Sequence, residues 1–443
     1  METRIFFGLM LKLSRGLQVV KVLIVFIDEL NYMQRILITG TYLIVYALIA
    51  LVLAKNTSII TNIDSLLHNS YPENEPGASV LIVQNNKVLL KKAYGLANLE
   101  SNSKMQVNNV FKISSVTKPI TALGVFVLAD QGKISLSDPI TDYIPQLNKR
   151  YYTVQVKHLL SHTSGMPNYT YTNEYEKLYV KYYYHFVNEE LSCDSIFSII
   201  NKYDPEFEPG ERFAYCNSGY FILEKIIENV SGRKFEDFIG ENVFKPLNMR
   251  SSSFFRLTEI ISDRVAGYTY YDGELVNSPH TFLSGILTKG QGGILSTTED
   301  LYSFYLGITQ NSYFRRISYD KYITPYTLND SSESVYSYGF FTGSLKGHKT
   351  INHNGDDSGF SSSLVILPDE NIFIAILSNN DMYTRGASRY HENIAERIAA
   401  ILVSKPFPVF KETFLSQNEM KSFVGTYQSE DRAIREVMIY RGN

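Results

Sequence analysis

The run Phe111-Lys-Ile-Ser-Ser115-Val-Thr-Lys118-Pro119-Ile-Thr-Ala-Leu-Gly-Val-Phe-Val-Leu-Ala-Asp130 decides how this chain reads. Ile120, Leu123, Val125, Phe126 and Leu128 leave no polar stripe, and the run stops at Gly132-Lys133. A helix that is apolar on every side belongs inside a protein. The pattern therefore predicts a buried helix over 111–131. Ser115 stands at its start, where Ser suits a helix N-terminus and Pro119 is tolerated in the first turn.

Outward from this helix the period changes. Residues 57–69 read as a short amphipathic helix (Ile59, Ile60, Ile63, Leu66, Leu67). Pro76-Gly77 opens two strands, Ser79–Gln84 and Val88–Tyr94, joined by the turn signal Asn85-Asn86. Residues 135–335 mix helices and loops. From 336 come four strand-like runs, Ser337–Leu345, Thr350–His353, Phe360–Leu367 and Ile372–Leu377, and then a helix over 386–403 (Ile394, Ile398, Ile401, Leu402). Strands at both ends of 57–403 with helices between them predict an α/β (α+β) fold. One antiparallel sheet is built from 57–110 and 336–405, flanked by terminal helices, and 111–335 forms a mostly helical insert. Pro406 and Pro408 mark a linker. Phe423–Tyr427 and Val437–Tyr440 read as two strands of an incomplete β unit in 406–443.

The 443 residues, 44% hydrophobic and 20% charged, describe a folded chain of two or three packing units. With 42 basic against 45 acidic residues there is no positive field to hold nucleic acid. Two cysteines, Cys193 and Cys216, form no CxxC pair, which excludes a disulfide framework and a cysteine-built zinc site. No metal, cofactor or obligate protein partner is expected. Ile36–Ala54 carries no charge, follows Arg35, and would cover roughly 30 Å as a helix. Arg4, Lys12, Arg15, Lys21 and Arg35 outnumber Glu2, Asp28 and Glu29 on its N-terminal side, and Val52-Leu53-Ala54 resembles a cleavage site. Residues 1–54 thus read as a signal peptide or a membrane anchor, with the remainder extracytoplasmic and a membrane contact through 36–54. Met33 is an alternative start.

Several catalytic patterns are missing: G-x-S-x-G, the P-loop, G-x-G-x-x-G and H-E-x-x-H. Ser-x-x-Lys occurs at Ser101, Ser115, Ser231 and Ser318, but only Ser115 heads a buried helix. Residues i and i+3 share a helix face, so Ser115 and Lys118 can touch. A lysine in apolar surroundings has a lowered pKa and can take the serine proton. A helix N-terminus offers N–H groups to a developing oxyanion. A capping Ser beside a surface Lys would show the same spacing, so two further patterns matter. Tyr215-Cys216-Asn217 precedes an apolar helix (Tyr220, Ile222, Leu223, Ile226, Ile227). His353-Asn354-Gly355, the only His-x-Gly in the chain, ends a strand run. Gly355 there would let a substrate lie close against the strand edge.

In these three patterns and their order the chain resembles the serine β-lactamase-like family: class C β-lactamases, D,D-peptidases, D-aminopeptidases and family VIII esterases. Collinear stretches add to the resemblance: Pro76-Gly77-Ala78, Gly132 through Pro139, Leu159 through Gly165, and Gly292 through Thr297. It covers about 57–403. The resemblance implies Ser115 as acylated nucleophile and Lys118 with Tyr215 as proton-transfer pair, Tyr215 activating Ser115 and later the water. It implies Asn217 orienting Lys118 and the substrate amide, and His353 holding Tyr215 or the substrate from the opposite wall. The backbone N–H groups of Ser115 and Asp356 would form the oxyanion hole. Many β-lactamases carry Lys-Thr-Gly where this chain has His353-Asn354-Gly355; Lys is a permanent charge, whereas His is largely neutral at pH 7. That departure turns the expectation from β-lactams toward D-amino-acid peptides, amides or esters. The alternatives are a class C-type β-lactamase and a catalytically silent binder of cell-wall peptides.

Other features read as structural. His162 is expected to be a hydrogen-bonded structural histidine, Cys216 a small buried side chain, and Thr297–Asp300 a helix cap. Tyr169, Tyr171, Tyr175, Tyr179, Tyr182, Tyr183 and Tyr184 form either a packing stripe or an aromatic wall beside the cleft.

Overall fold

The computed structural model describes residues 58–177, 193–255, 259–271, 274–278, 289–309, 319–381, 390–407, 417–428 and 434–437. Among these, the residues up to Lys405 form one compact unit and those from Pro406 onward a second.

A six-stranded antiparallel sheet organises the first unit. Its strands are β1 (Ala78–Gln84), β2 (Lys87–Tyr94), β3 (Phe341–Leu345), β4 (His348–Asp357), β5 (Phe360–Leu367) and β6 (Ile372–Ser378). They lie in the order β3-β4-β5-β6-β1-β2. The seam between the two chain ends is the β1–β6 ladder, from Ala78 opposite Ser378 to Gln84 opposite Ile372. β5 and β6 are buried along their whole length, which is why Phe373 to Leu377 reads as an unbroken apolar run rather than an alternating one. The β1–β2 turn is Asn85-Asn86, both at positive φ (52° and 60°), the backbone that twists a two-residue hairpin correctly.

Four helices matter to the site: α1 over 58–70, α2 (Thr117–Asp130), α3 (Asn217–Ser231) and α4 (Tyr390–Leu402). α4 packs on β5 and β6, and α2 packs on α3. Every residue of α2 from Thr117 to Leu128 is buried. Full burial of Ile120, Leu123 and Phe126 stabilises the fold by about 1.5–3 kcal/mol each. The buried helix is shorter than its apolar run. Phe111–Lys112 pairs with Leu295–Ser296 as a strand, and Ser114–Val116 forms a 3-10 turn. β4 is longer than expected: Asn354 to Asp357, turn-like in composition, pair with Ser363 to Phe360. In the second unit a helix, Gln417–Ser422, precedes two antiparallel strands, Gly425–Gln428 and Ile434–Val437.

The expected membrane contact and the extracytoplasmic location are corrected here. No helix among the described residues is long and apolar enough to cross a membrane. The longest, α3 with 15 residues, rises about 22 Å against a hydrocarbon core of about 30 Å. Residues 36–54 lie outside the described residues, and neither expectation is carried further.

Candidate active site

Ser115 sits in the 3-10 turn between the Phe111–Lys112 strand and α2. The turn is set by Ser114, whose φ of 46° lies in the left-handed region. A non-glycine residue held there costs on the order of 1–3 kcal/mol. Ser115 therefore precedes the helix instead of capping it. α2 starts at Thr117, and no side chain caps its first turn.

Lys118 is fully buried. Its Nζ is hydrogen-bonded to Ser115 Oγ at 3.0 Å and donates to the Gln291 carbonyl at 2.9 Å. The Tyr215 and Tyr220 rings stand 4.8 and 5.6 Å from the same nitrogen. Burial lowers the Lys118 pKa to about 7, against a smaller opposing influence from Cys216. Tyr215 lies just ahead of α3, and its phenol hydrogen-bonds the Ser115 side chain. Burial raises its pKa even so; the Ser115 bond acts in the other direction, and Tyr171 and Asp356 reinforce the rise. Ser115, Lys118 and Tyr215 are thus brought together, with the two titratable groups shifted in opposite senses.

Of the two parts expected of His353, holding Tyr215 or holding the substrate, the first is not made by a hydrogen bond. It is buried on β4; its Nδ1 lies 2.7 Å from the Asn354 carbonyl and so carries the hydrogen. Nε2 then accepts from the Tyr336 hydroxyl at 2.9 Å. Burial, assisted by the Lys118 charge, pushes its pKa down to about 3. Its ring centre is 6.3 Å from that of Tyr215, so it lines the wall without a hydrogen bond to that phenol. Asn217 donates from Nδ2 to Thr170 Oγ1 at 3.3 Å and from its backbone to Asn168 Oδ1 at 3.3 Å. The Lys118 contact expected of it is made by Gln291 instead.

Close approach of the serine turn is one reason for glycine at 355. A Cβ there would overlap the Ile113 carbonyl oxygen and come within 2.8 Å of Ser115 N. The missing side chain lets β4 close on the serine turn. Asp356 follows on the exposed side, and Asp357 pairs with buried Lys112 at 2.6 Å.

The segment carrying Gln291 had no sequence signal, because the group it supplies is a carbonyl that every residue possesses. It is held from both sides. Gly290 N–H donates to buried Glu224 Oε2 at 2.7 Å, and Thr121 Oγ1 donates to the Gly290 carbonyl at 2.6 Å. Among the described residues no three His, Cys, Asp or Glu side chains converge as metal ligands would. Tyr169 is buried and meets Tyr175 edge-on at 5.0 Å, while Tyr171 is 80% exposed. Tyr179, Tyr182, Tyr183 and Tyr184 lie outside the described residues.

A β-lactamase family model matches residues 68–398, a span that holds every site residue above. The chain belongs to the β-lactamase family. Penicillin-binding protein 4* of Bacillus subtilis (strain 168) is 26% identical over 380 residues, 81% of either chain. Protein flp of Staphylococcus aureus (strain N315) is 27% identical over 332 residues; these are 72% of this chain and 62% of that relative. Among solved structures, the octameric penicillin-binding protein homologue from Pyrococcus abyssi matches with a TM-score of 0.65 and 26% identity, covering 88% of this chain and 86% of that one. Membership places this β-lactamase-family chain among the serine hydrolases related to penicillin-binding proteins. It also accounts for the antiparallel sheet flanked by helices.

Proposed function

We propose that the chain hydrolyses an amide or ester bond through an acyl-enzyme on Ser115, with residues 55–405 as the catalytic unit. The observation that carries this reading is the 3.0 Å contact between Ser115 Oγ and a fully buried Lys118 whose pKa is lowered to about 7. Near neutrality much of Lys118 is then an amine with a lone pair. Its N–H donated to Gln291 leaves that lone pair for the serine proton.

In the proposed sequence, Oγ bonds to the substrate carbonyl carbon as its proton passes to Lys118 Nζ. The carbonyl oxygen takes the electron pair and faces the backbone N–H groups of Ser115 and Asp356. Each such donor is worth about 3–4 kcal/mol in the transition state. Tyr215, kept protonated by burial, then gives its proton to the leaving nitrogen or oxygen as that bond breaks, and recovers one from Lys118. Water repeats the steps in reverse: it attacks the acyl carbon, loses a proton to the pair, and Oγ leaves with a proton restored. Environments that push two pKa values apart distinguish base from acid. Lys118 is accordingly the first base, and Tyr215 the donor.

The favoured substrate is a D-amino-acid-containing peptide, amide or ester. His353 is neutral, so the β4 wall brings no positive charge from that position, and the nearby Lys112 is already paired with Asp357. A substrate carboxylate gains little there; an amide or ester group loses nothing. The test is covalent labelling by a fluorophosphonate, followed by turnover of nitrocefin, a p-nitrophenyl ester, a D-amino acid amide and a D-Ala-terminated peptide. Wild type should label and Ser115→Ala should not. Equal labelling of both, or peptide binding with no turnover of any substrate, would dismiss the proposal.

A further inference from the structure

His162 lies in the Ser161-His162-Thr163 stretch, remote in sequence from the Ser, Tyr and His patterns, yet it brackets Tyr215. Its backbone carbonyl accepts the Ala214 N–H at 2.9 Å, and its ring Nδ1 accepts the Cys216 N–H at 3.0 Å. The residues on either side of Tyr215 are therefore tied to one histidine. The imidazole also lies against the Tyr215 ring, 4.3 Å between centres at 36°. Two more tyrosines close the other sides, Tyr336 at 4.7 Å and Tyr220 at 5.1 Å, and the side chain is 1% exposed. Because Nδ1 is an acceptor, the hydrogen of a neutral ring is on Nε2, which has no hydrogen-bond partner. His162 reaches this place only through a left-handed backbone, φ 55°. Backbone strain and an unpaired buried N–H are both retained at a residue whose two hydrogen bonds and shortest ring contact bracket Tyr215.

We propose that His162 is a positioning residue that fixes the Tyr215 phenol relative to Ser115 and Lys118. It touches neither the nucleophile nor the bond that is cleaved. It acts by pinning residues 214 and 216 and by walling the ring between them. The inference rests on the reading of Tyr215 as proton donor.

The experiment compares wild type, His162→Asn, Tyr215→Phe and the double variant. Competent sites are counted by fluorophosphonate stoichiometry, and kcat and KM are measured with the best ester or amide. Asn tolerates the left-handed backbone, and its Oδ1 can replace Nδ1 for the Cys216 N–H, but it has no ring to lay against Tyr215. The expectation for His162→Asn is unchanged stoichiometry, kcat lower by about 10- to 100-fold, and KM within about threefold. The double variant should be no slower than Tyr215→Phe alone, because the residue acts through the missing phenol. A purely structural histidine would lower stoichiometry instead, and its losses would add to those of Tyr215→Phe. Additive losses, or a normal kcat in His162→Asn while Tyr215→Phe is slow, would overturn this inference alone. A Tyr215→Phe enzyme as fast as wild type would overturn the reading beneath it. Should His162→Asn not fold, nitrogen-15 NMR of the wild-type histidines decides. The Nε2–H tautomer, unchanged across the pH range of activity, supports the bracket; an Nδ1–H or titrating His162 refutes it.

Discussion

A lysine stripped of water and placed 3.0 Å from a serine makes a measurable demand on pH. Below about 7 the Lys118 nitrogen is protonated and cannot accept the serine proton, so kcat/KM should climb as pH rises through that value. His353, held near 3, and Tyr215, shifted upward, contribute no limb in that interval. An acid limb that vanished in His353→Asn would refute the assignment. The same burial has a thermodynamic sign. A lysine whose folded pKa lies below its unfolded value of 10.5 weakens the fold fully at pH below 7, and the penalty fades as pH rises toward 10.5. Lys118→Met should abolish turnover while raising stability by a few kcal/mol at acid pH, and little at pH near 10, as urea titrations would show. Gly355→Ala should press on the Ile113 carbonyl and displace Ser115 N, slowing acylation by about 100-fold. At this scale Ser115 and Lys118 were legible because i, i+3 spacing converts directly into contact. Gln291 was not, since a carbonyl has no residue type, and the Tyr336 partner of His353 lies across a fold that no spacing encodes.

Elements carry their own lesson in β4. Asn354-Gly355-Asp356-Asp357 has turn composition, yet the strand continues through it because Phe360–Ser363 supplies a partner for each residue. Local propensity therefore stopped the strand four residues early, at the stretch that meets the serine turn. That end is fastened by the Lys112–Asp357 pair, with Lys112 only 2% exposed and Asp357 26%. Lys112→Met takes the cation away from a partly buried carboxylate that keeps the Ser358 N–H, and should cost about 1–3 kcal/mol, less than for a fully buried pair because water still reaches Asp357. Adding Asp357→Leu should recover most of that loss in urea unfolding. The Tyr-rich segment shows the opposite mixture. Tyr169 and Tyr175 pack as a stripe would, whereas exposed Tyr171 lines a cavity of about 270 Å³ with Thr170, Thr172, Tyr175 and Glu176. Tyr171→Ala should leave stability within about 0.5 kcal/mol and alter the preference between aromatic and aliphatic D-amides. An unchanged preference would reduce Tyr171 to a surface side chain.

For the whole molecule, the sequence holds 33 tyrosines and no tryptophan, and burial gives that composition a pattern. Tyr151, Tyr220 and Tyr322 are fully buried, and each phenol donates to a backbone carbonyl, of Ile200, Leu160 and Pro119 among others. Tyrosine fills the core and satisfies carbonyls of helix residues with the same side chain. The two-ended sheet was legible from period-two runs at both ends of the chain; the short strands Phe111–Lys112 and Ser253–Phe254 were not, having too few residues to show a period. Closing the β1–β6 seam joins residues about 300 positions apart. A fragment ending at Tyr338 keeps only β1 and β2 of the six strands and should show no cooperative urea transition, because a lone hairpin is not stable. The same connectivity sets a schedule during protein synthesis. Ser115 and Lys118 leave the ribosome about 240 residues before Gly355 and Asp356, a delay of roughly 10–50 s at ordinary elongation rates. A nascent chain thus displays its nucleophile for many seconds without the strand that frames it, and the site cannot be completed until Gly355 and Asp356 have been made.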